Sequence, residues 1–183
     1  MPGSRPDVTS SRVVYENRWM RLREDQLVWP GGSPGLYAVV EKAPAAVVAA
    51  VEDGHVWLVE QFRYTVGRRF WELPQGALDG SDESDGERIA RTELAEETGV
   101  RAGAMRRLGR MYFAYGLSNQ SFEAWLATDL TLGEPSLEPS EHGLVARPVP
   151  LHRLGAMVAD GDVVDAATIA TLSLAGLLGQ SPP

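Results

Sequence analysis

Glu93-Leu94-Ala95-Glu96-Glu97-Thr98-Gly99-Val100, preceded by Trp71-Glu72-Leu73-Pro74-Gln75-Gly76, is the stretch on which the reading of this chain turns. The spacing predicts a helix from about Gly86 to Thr98, with Ile89, Ala90 and Leu94 on its apolar face and Gly99 as the stop. Residues three and four apart share a helical face, so Glu93, Glu96 and Glu97 converge on one patch. Like charges that close repel, and a hard divalent cation such as Mg²⁺ is the simplest partner that makes the patch favourable. A solvated acidic face would instead place Lys or Arg at helical spacing. Four beyond Glu93 stands Glu97, four beyond Glu96 stands Val100, and Arg101 lies past Gly99.

Composition narrows the possibilities. The 183 residues suit one domain, or one domain with an appended subdomain, and 44% hydrophobic residues supply a core. There is no Cys, which excludes disulfides, thiolate metal sites and a Cys nucleophile, and fits a reducing cytoplasm. The formal net charge is −8 without a basic stripe, which argues against nucleic-acid partners. A metal-chelated phosphate compound remains compatible with that charge. The longest apolar run, Ala43 to Val51, is far short of a membrane span. His55, His142 and His152 are scattered, which disfavours zinc.

Along the chain, polar Met1 to Ser10 reads as a disordered leader without a signal-peptide core. Ser11 to Leu27 reads as two short strands and Leu36 to Val40 as another, so residues 1–43 form a leader and a small β subdomain. Residues 44–183 form the main domain. Ala46–Val51 and His55–Arg63 flank Asp53-Gly54, a strong hairpin signal. Phe70–Leu73, Arg107–Phe113, Gln120–Thr128 and Val145–Val149 read as strands, Gly76–Asp85 and Leu130–Gly143 as loops. Leu151–Ala159 and Val164–Leu178 read as helices. Strands and helices without regular alternation indicate an α/β sandwich with a mixed sheet.

Gly76, Glu93, Leu94, Glu96, Glu97, Gly99 and Val100 resemble the signature of the Nudix hydrolases, Gly-x5-Glu-x7-Arg-Glu-U-x-Glu-Glu-x-Gly-U, with U a bulky aliphatic residue. Glu60-Gln61-Phe62-Arg63-Tyr64, the Trp71–Gly76 run and Val164–Ala170 look like the ADP-ribose and nucleotide-sugar pyrophosphatases of that family. The resemblance implies a Nudix-type α/β/α sandwich, and an N-terminal β subdomain that helps build a homodimer. It also implies Mg²⁺-dependent hydrolysis of a diphosphate linkage in an ADP-ribose-like nucleoside diphosphate sugar, with Mn²⁺ able to substitute.

By motif position Glu93 and Glu97 are the metal ligands, with the Gln75 carbonyl as a third and Glu96 completing the set or holding a second ion. Gly76 and Gly99 are the structural box positions. In this branch the general base comes from an acidic loop, here Glu138-Pro139-Ser140-Glu141-His142-Gly143, with Glu141 favoured over Glu138. Arg63 would bind the diphosphate bidentately. Tyr115 would stack on a base or pack, while Trp71 reads as core.

Three departures stand out. Thr92 occupies the signature's Arg, with Arg91 and Arg88 as substitutes if the helix geometry allows. Gly76 to Glu93 spans 17 positions, 93 − 76, two more than the signature. Tyr115, sixteen after Gly99, replaces the Pro usual in ADP-ribose hydrolases and is a residue type seen in dinucleoside polyphosphate hydrolases. Hydrolysis of another nucleotide, such as a GDP-sugar or a dinucleoside polyphosphate, and a catalytically weak nucleotide-sensing module are therefore the rival expectations.

Overall fold

In a computed structural model of the chain, residues 5–77, 85–137 and 141–179 are described. They form two compact units. Residues Met1–Ala43 and Tyr112–Ser121 make up one, and Pro44–Met111 with Phe122–Pro183 the other.

The smaller unit is a three-stranded antiparallel sheet of β1 (Asp7–Glu16), β2 (Arg21–Val28) and β3 (Pro34–Glu41) in the order β1-β2-β3. The expected leader is thus corrected, because Asp7 to Ser10 already belong to β1. Little apolar material drives that pairing. Instead the Thr9 hydroxyl donates to the Gln26 carbonyl (3.1 Å) and Ser11 Oγ to Asp25 (2.6 Å), so β2 supplies what the leader's own composition lacks. Segment 112–121 joins this unit through a parallel bridge between Val40 and Ser118 and a Tyr37 hydroxyl bond to the Gly116 carbonyl (2.8 Å).

The larger unit is built around β4 (Ala45–Glu52). With β5 (His55–Arg63), β6 (Arg68–Glu72), β7 (Gln75–Gly76), β8 (Arg101–Tyr112), β9 (Ser121–Thr131) and β10 (Val145–Pro150) it forms a mixed sheet. The path is β10-β5-β4-β9-β8, with β6 on β5 and β7 on β4. β4 and β9 run parallel, while β5 pairs antiparallel with its neighbours. Asp53 and Gly54 both carry positive φ (47° and 73°), as the tight β4–β5 turn requires.

Alternate side chains of a strand face opposite sides of a sheet, and β4 divides its residues accordingly. Ala46, Val48 and Ala50 pack with Ile89, Ala90 and Leu94 of α1 (Gly86–Thr98). Ala45, Val47 and Ala49 pack on the other face with Leu154 and Met157 of α2 (Leu154–Ala159) and with Ala167 and Leu172 of α3 (Ala166–Leu174). A 3₁₀ turn, Leu151–Arg153, leads into α2. This is the expected α/β/α sandwich. The C-terminal helix is shorter than its apolar pattern, because Asp165 caps its start and the chain turns at Ala175 and Gly176.

Candidate active site

α1 carries the site. Its hydrophobic side faces β4, and beside that side Glu93 and Glu97, both buried, lie against β7, Glu93 at Gly76 and Glu97 at Gln75. Glu141, just before β10, brings a third carboxylate. One oxygen from each of Glu93, Glu97 and Glu141 lies within 4.8 Å of the others. Burial pushes the Glu97 carboxyl well above its ordinary range, and the charges of Glu93, Glu141 and Glu72 push it further. Opposing them, the backbone N–H of Gln75 donates to Glu97 Oε2 at 3.2 Å. Three carboxylates around a common point, one of them ill at ease as an anion, form a donor set of the kind hard divalent cations take.

Two glycines let this geometry exist. A Cβ on Gly76 would overlap the carboxylate of Glu93, so any other residue there would push that carboxylate aside. Gly99 adopts the left-handed conformation (φ 74°), donates its N–H to the Ala95 carbonyl (2.9 Å) and ends α1. A Cβ there would also press on the backbone of Gly133 and Glu134.

β7 is itself fixed from two sides. Gln75 and Gly76 pair with Val47 and Ala46. The Gln75 amide donates to Asp165 Oδ2 (3.0 Å) and Glu72 Oε2 (3.3 Å). Asp165 caps α3 by accepting from the Thr168 N–H (2.7 Å), and the Thr168 hydroxyl accepts from the Leu73 N–H (3.0 Å). The helix start therefore grips the chain at both Leu73 and Gln75.

Arg63 forms a two-point pair with buried Glu72, Nη2 to Oε1 at 2.6 Å and Nε to Oε2 at 3.2 Å. Gln61 adds a bond of 2.8 Å to the same carboxylate. Burial raises the Glu72 carboxyl, and Arg63 pulls it back down. Arg63 keeps 40% of its side-chain surface exposed, so its outer edge remains available.

The other sequence candidates fall as follows. Glu96 sits on the next face of α1, outside the group of three, and its backbone carbonyl accepts from the Ser136 N–H (2.9 Å). Glu138 lies outside the described residues, as does most of the lengthened loop, including Asp82, Glu83 and Ser84. Tyr115 belongs to the smaller unit and is 86% exposed. Trp71 is partly buried against the core, under the guanidinium of Arg147 (4.1 Å). Neither expected substitute for the signature Arg turns towards the glutamates. Arg91 binds Glu87 (2.9 Å) and the Ala102 carbonyl (2.8 Å), and Arg88 pairs with Asp85 (2.9 Å).

Sequence reasoning missed Glu72, Asp165 and Glu123 as functional neighbours. Glu123, buried on β9, holds Arg107 (2.8 Å) and Arg110 (3.0 Å) and lies against Gly86, where a carboxylate favours the start of α1. Asp165 and Gln75 stand 90 positions apart and Glu123 and Gly86 stand 37 apart (123 − 86), too far for any local pattern to pair them.

Comparison with known proteins agrees with this geometry. Residues 41–172 match the NUDIX domain model, and residues 7–40 match a nucleoside diphosphate sugar hydrolase N-terminal domain. An ADP-ribose pyrophosphatase of Mycobacterium tuberculosis (strain ATCC 25618 / H37Rv) is 34% identical over 166 residues, 90% of this chain and 80% of that protein. One of Bacillus subtilis (strain 168) is 28% identical over 157 residues, covering 85% and 84%. A solved structure described as an ADP compounds hydrolase has the same fold, with a TM-score of 0.81, 19% identity and coverage of 94% and 93%. The sandwich, the box helix with its two glycines and the match over most of the sequence together place this chain in the Nudix hydrolase family.

Proposed function

We propose that the chain hydrolyses the diphosphate linkage of an ADP-ribose-like nucleoside diphosphate sugar to a nucleoside monophosphate and a sugar phosphate. The observation that carries this reading is the convergence of Glu93, Glu97 and Glu141 around one point. The two relatives named ADP-ribose pyrophosphatase support the substrate class. Glu93 and Glu97, with the Gln75 carbonyl, would hold Mg²⁺ or Mn²⁺, and Glu96 would serve a further ion from the adjoining face. Such an ion, when bound, neutralises charge on phosphoryl oxygens.

The protein groups then divide the remaining tasks. Glu141 takes the proton of the attacking water, a role open to a carboxylate within 4.8 Å of Glu93 and Glu97. Arg63, oriented by Glu72, presents its outer edge to the diphosphate. The exposed apolar side chains of the small sheet, Val8, Val13, Val14, Tyr15 and Leu36, support a homodimer. Among the described residues no helix is long and apolar enough to cross a membrane, and a cytoplasmic site of action accords with the absence of Cys.

A second reading, a catalytically weak nucleotide sensor, is favoured by one observation: Thr92 replaces the signature Arg while Arg88 and Arg91 are engaged elsewhere. One experiment separates the two. The protein is incubated with Mg²⁺ and ADP-ribose, ADP-glucose, GDP-mannose or diadenosine polyphosphate, and monophosphate release is followed. Turnover of ADP-ribose that disappears in Glu97→Gln supports the hydrolase. Thermal stabilisation by a nucleotide without turnover supports the sensor.

A further inference from the structure

Glu141 reaches the other two glutamates from the short turn that leads into β10, so its position depends on how that turn is held. The Leu144 N–H donates to the Glu141 carbonyl (2.9 Å), which closes the turn Glu141–Leu144, and Gly143 within it has a left-handed φ of 81°. Val145 then starts β10 opposite Glu60. Across the sheet, β6 places Arg69 opposite Phe62, one strand removed from that turn. Its Nη2 donates to two carbonyls at once, Gly143 (2.8 Å) and Glu60 (2.9 Å), while Nε donates to Glu60 Oε2 (3.1 Å).

We propose that Arg69 is the positioning residue for Glu141, pinning the turn through the Gly143 carbonyl so that the carboxylate stays at the cluster. This deepens the reading above and rests on it, since it assumes that Glu141 serves the hydrolytic step. The guanidinium suits the task for a physical reason. Its planar fork bonds a carboxylate along one edge and carbonyls along another with little loss of freedom per bond. The Glu60 carboxylate and carbonyl fix the side chain on β5, and the remaining N–H direction reaches the turn. Arg69 touches neither Glu93 nor Glu97 in any described bond, so its effect must pass through the segment that bears Glu141.

Three kinds of variant test this. Arg69→Ala is expected to lower kcat for ADP-ribose by roughly tenfold to a hundredfold, the scale that a small misplacement of a reacting group produces, with KM within about twofold. Arg69→Lys, which can reach one carbonyl but not span both, is expected to recover part of the loss. In a Glu141→Gln background Arg69→Ala is expected to cost nothing further, because the group it positions is already disabled. A loss of equal size in both backgrounds would overturn the proposal.

Hydrogen exchange gives a readout independent of turnover. Arg69→Ala should speed exchange of the Leu144 amide while leaving the β4 amides unchanged, and unchanged Leu144 exchange would also overturn the proposal. If the wild-type protein released no monophosphate from any nucleotide, the functional reading would fail, and the exchange measurement would still decide whether Arg69 holds the turn.

Discussion

Two threonines one turn apart on α3 make a paired experiment. Thr168 and Thr171 are both fully buried. The hydroxyl of Thr168 accepts the Leu73 N–H at 3.0 Å, whereas Thr171 Oγ1 has no hydrogen-bond partner among the described residues. Valine has nearly the shape of threonine, so Thr168→Val removes an acceptor without opening a cavity and strands a buried backbone N–H. The cost of stranding such a group is about 1–3 kcal/mol. At roughly 2–4 °C per kcal/mol for a protein of this size, a loss near 2 kcal/mol lowers Tm by roughly 4–8 °C. Thr171→Val replaces a hydroxyl that is already unpaired by a methyl group. It should therefore be neutral or stabilising, by up to about 1 kcal/mol. Thermal melts, together with urea titrations in which the midpoint moves and the slope does not, measure both. If the two variants fell within about 0.5 kcal/mol of each other, the tie between α3 and Leu73 would not exist in solution, and the account of how β7 is held would fail with it.

Three further outcomes are expected. Gly76→Ala should displace the Glu93 carboxylate and weaken Mg²⁺ binding by about tenfold or more, read by calorimetry on chelator-treated protein; unaltered binding would contradict the collision. Because the folded protein favours protonated Glu97 more than the unfolded chain does, metal-free protein should lose stability as pH rises from the ordinary glutamate range towards the raised value. Glu97→Gln should flatten that fall and Mg²⁺ should offset it, as melts across pH in chelator and in Mg²⁺ would reveal. Val14→Asp on the small sheet should shift the protein from dimer to monomer in light scattering while leaving Mg²⁺ binding intact; a wild-type protein monomeric at high concentration would remove the dimer.

The parts legible in the sequence are those where short-range chemistry decides. α1 begins and ends where the spacing predicts, because Gly99 alone can take the left-handed stop and the apolar positions Ile89, Ala90 and Leu94 repeat at helical spacing. The β4–β5 turn is likewise encoded by Asp53-Gly54. What was not legible depends on partners far along the chain. Asp7 to Ser10 carry a single apolar residue, Val8, too few for a strand pattern, and form a strand because β2 meets them. Gly76 reads as the beginning of a loop, and with Gln75 it becomes a strand by pairing with β4. Within the site, helical spacing groups Glu93, Glu96 and Glu97, but the sheet beneath decides that the third carboxylate beside Glu93 and Glu97 is Glu141. Sequence alone named Arg63 but not Glu72, the residue that aims it, since an acid inside a strand announces nothing about its partner.

The β8–β9 hairpin has a consequence for how the protein can be dissected. Its tip, 112–121, is counted with the amino-terminal sheet, so the backbone passes from one compact body to the other at 43/44, 111/112 and 121/122. No single cut separates the two. A fragment starting at Pro44 would keep Leu117 and Ser118 while deleting Val40, whose N–H and carbonyl they bond at 2.9 and 2.7 Å. Shortened versions that drop the first strands would thus leave a sticky, unanswered loop, and poor solubility in them would report that orphaned edge rather than any defect of the glutamate cluster.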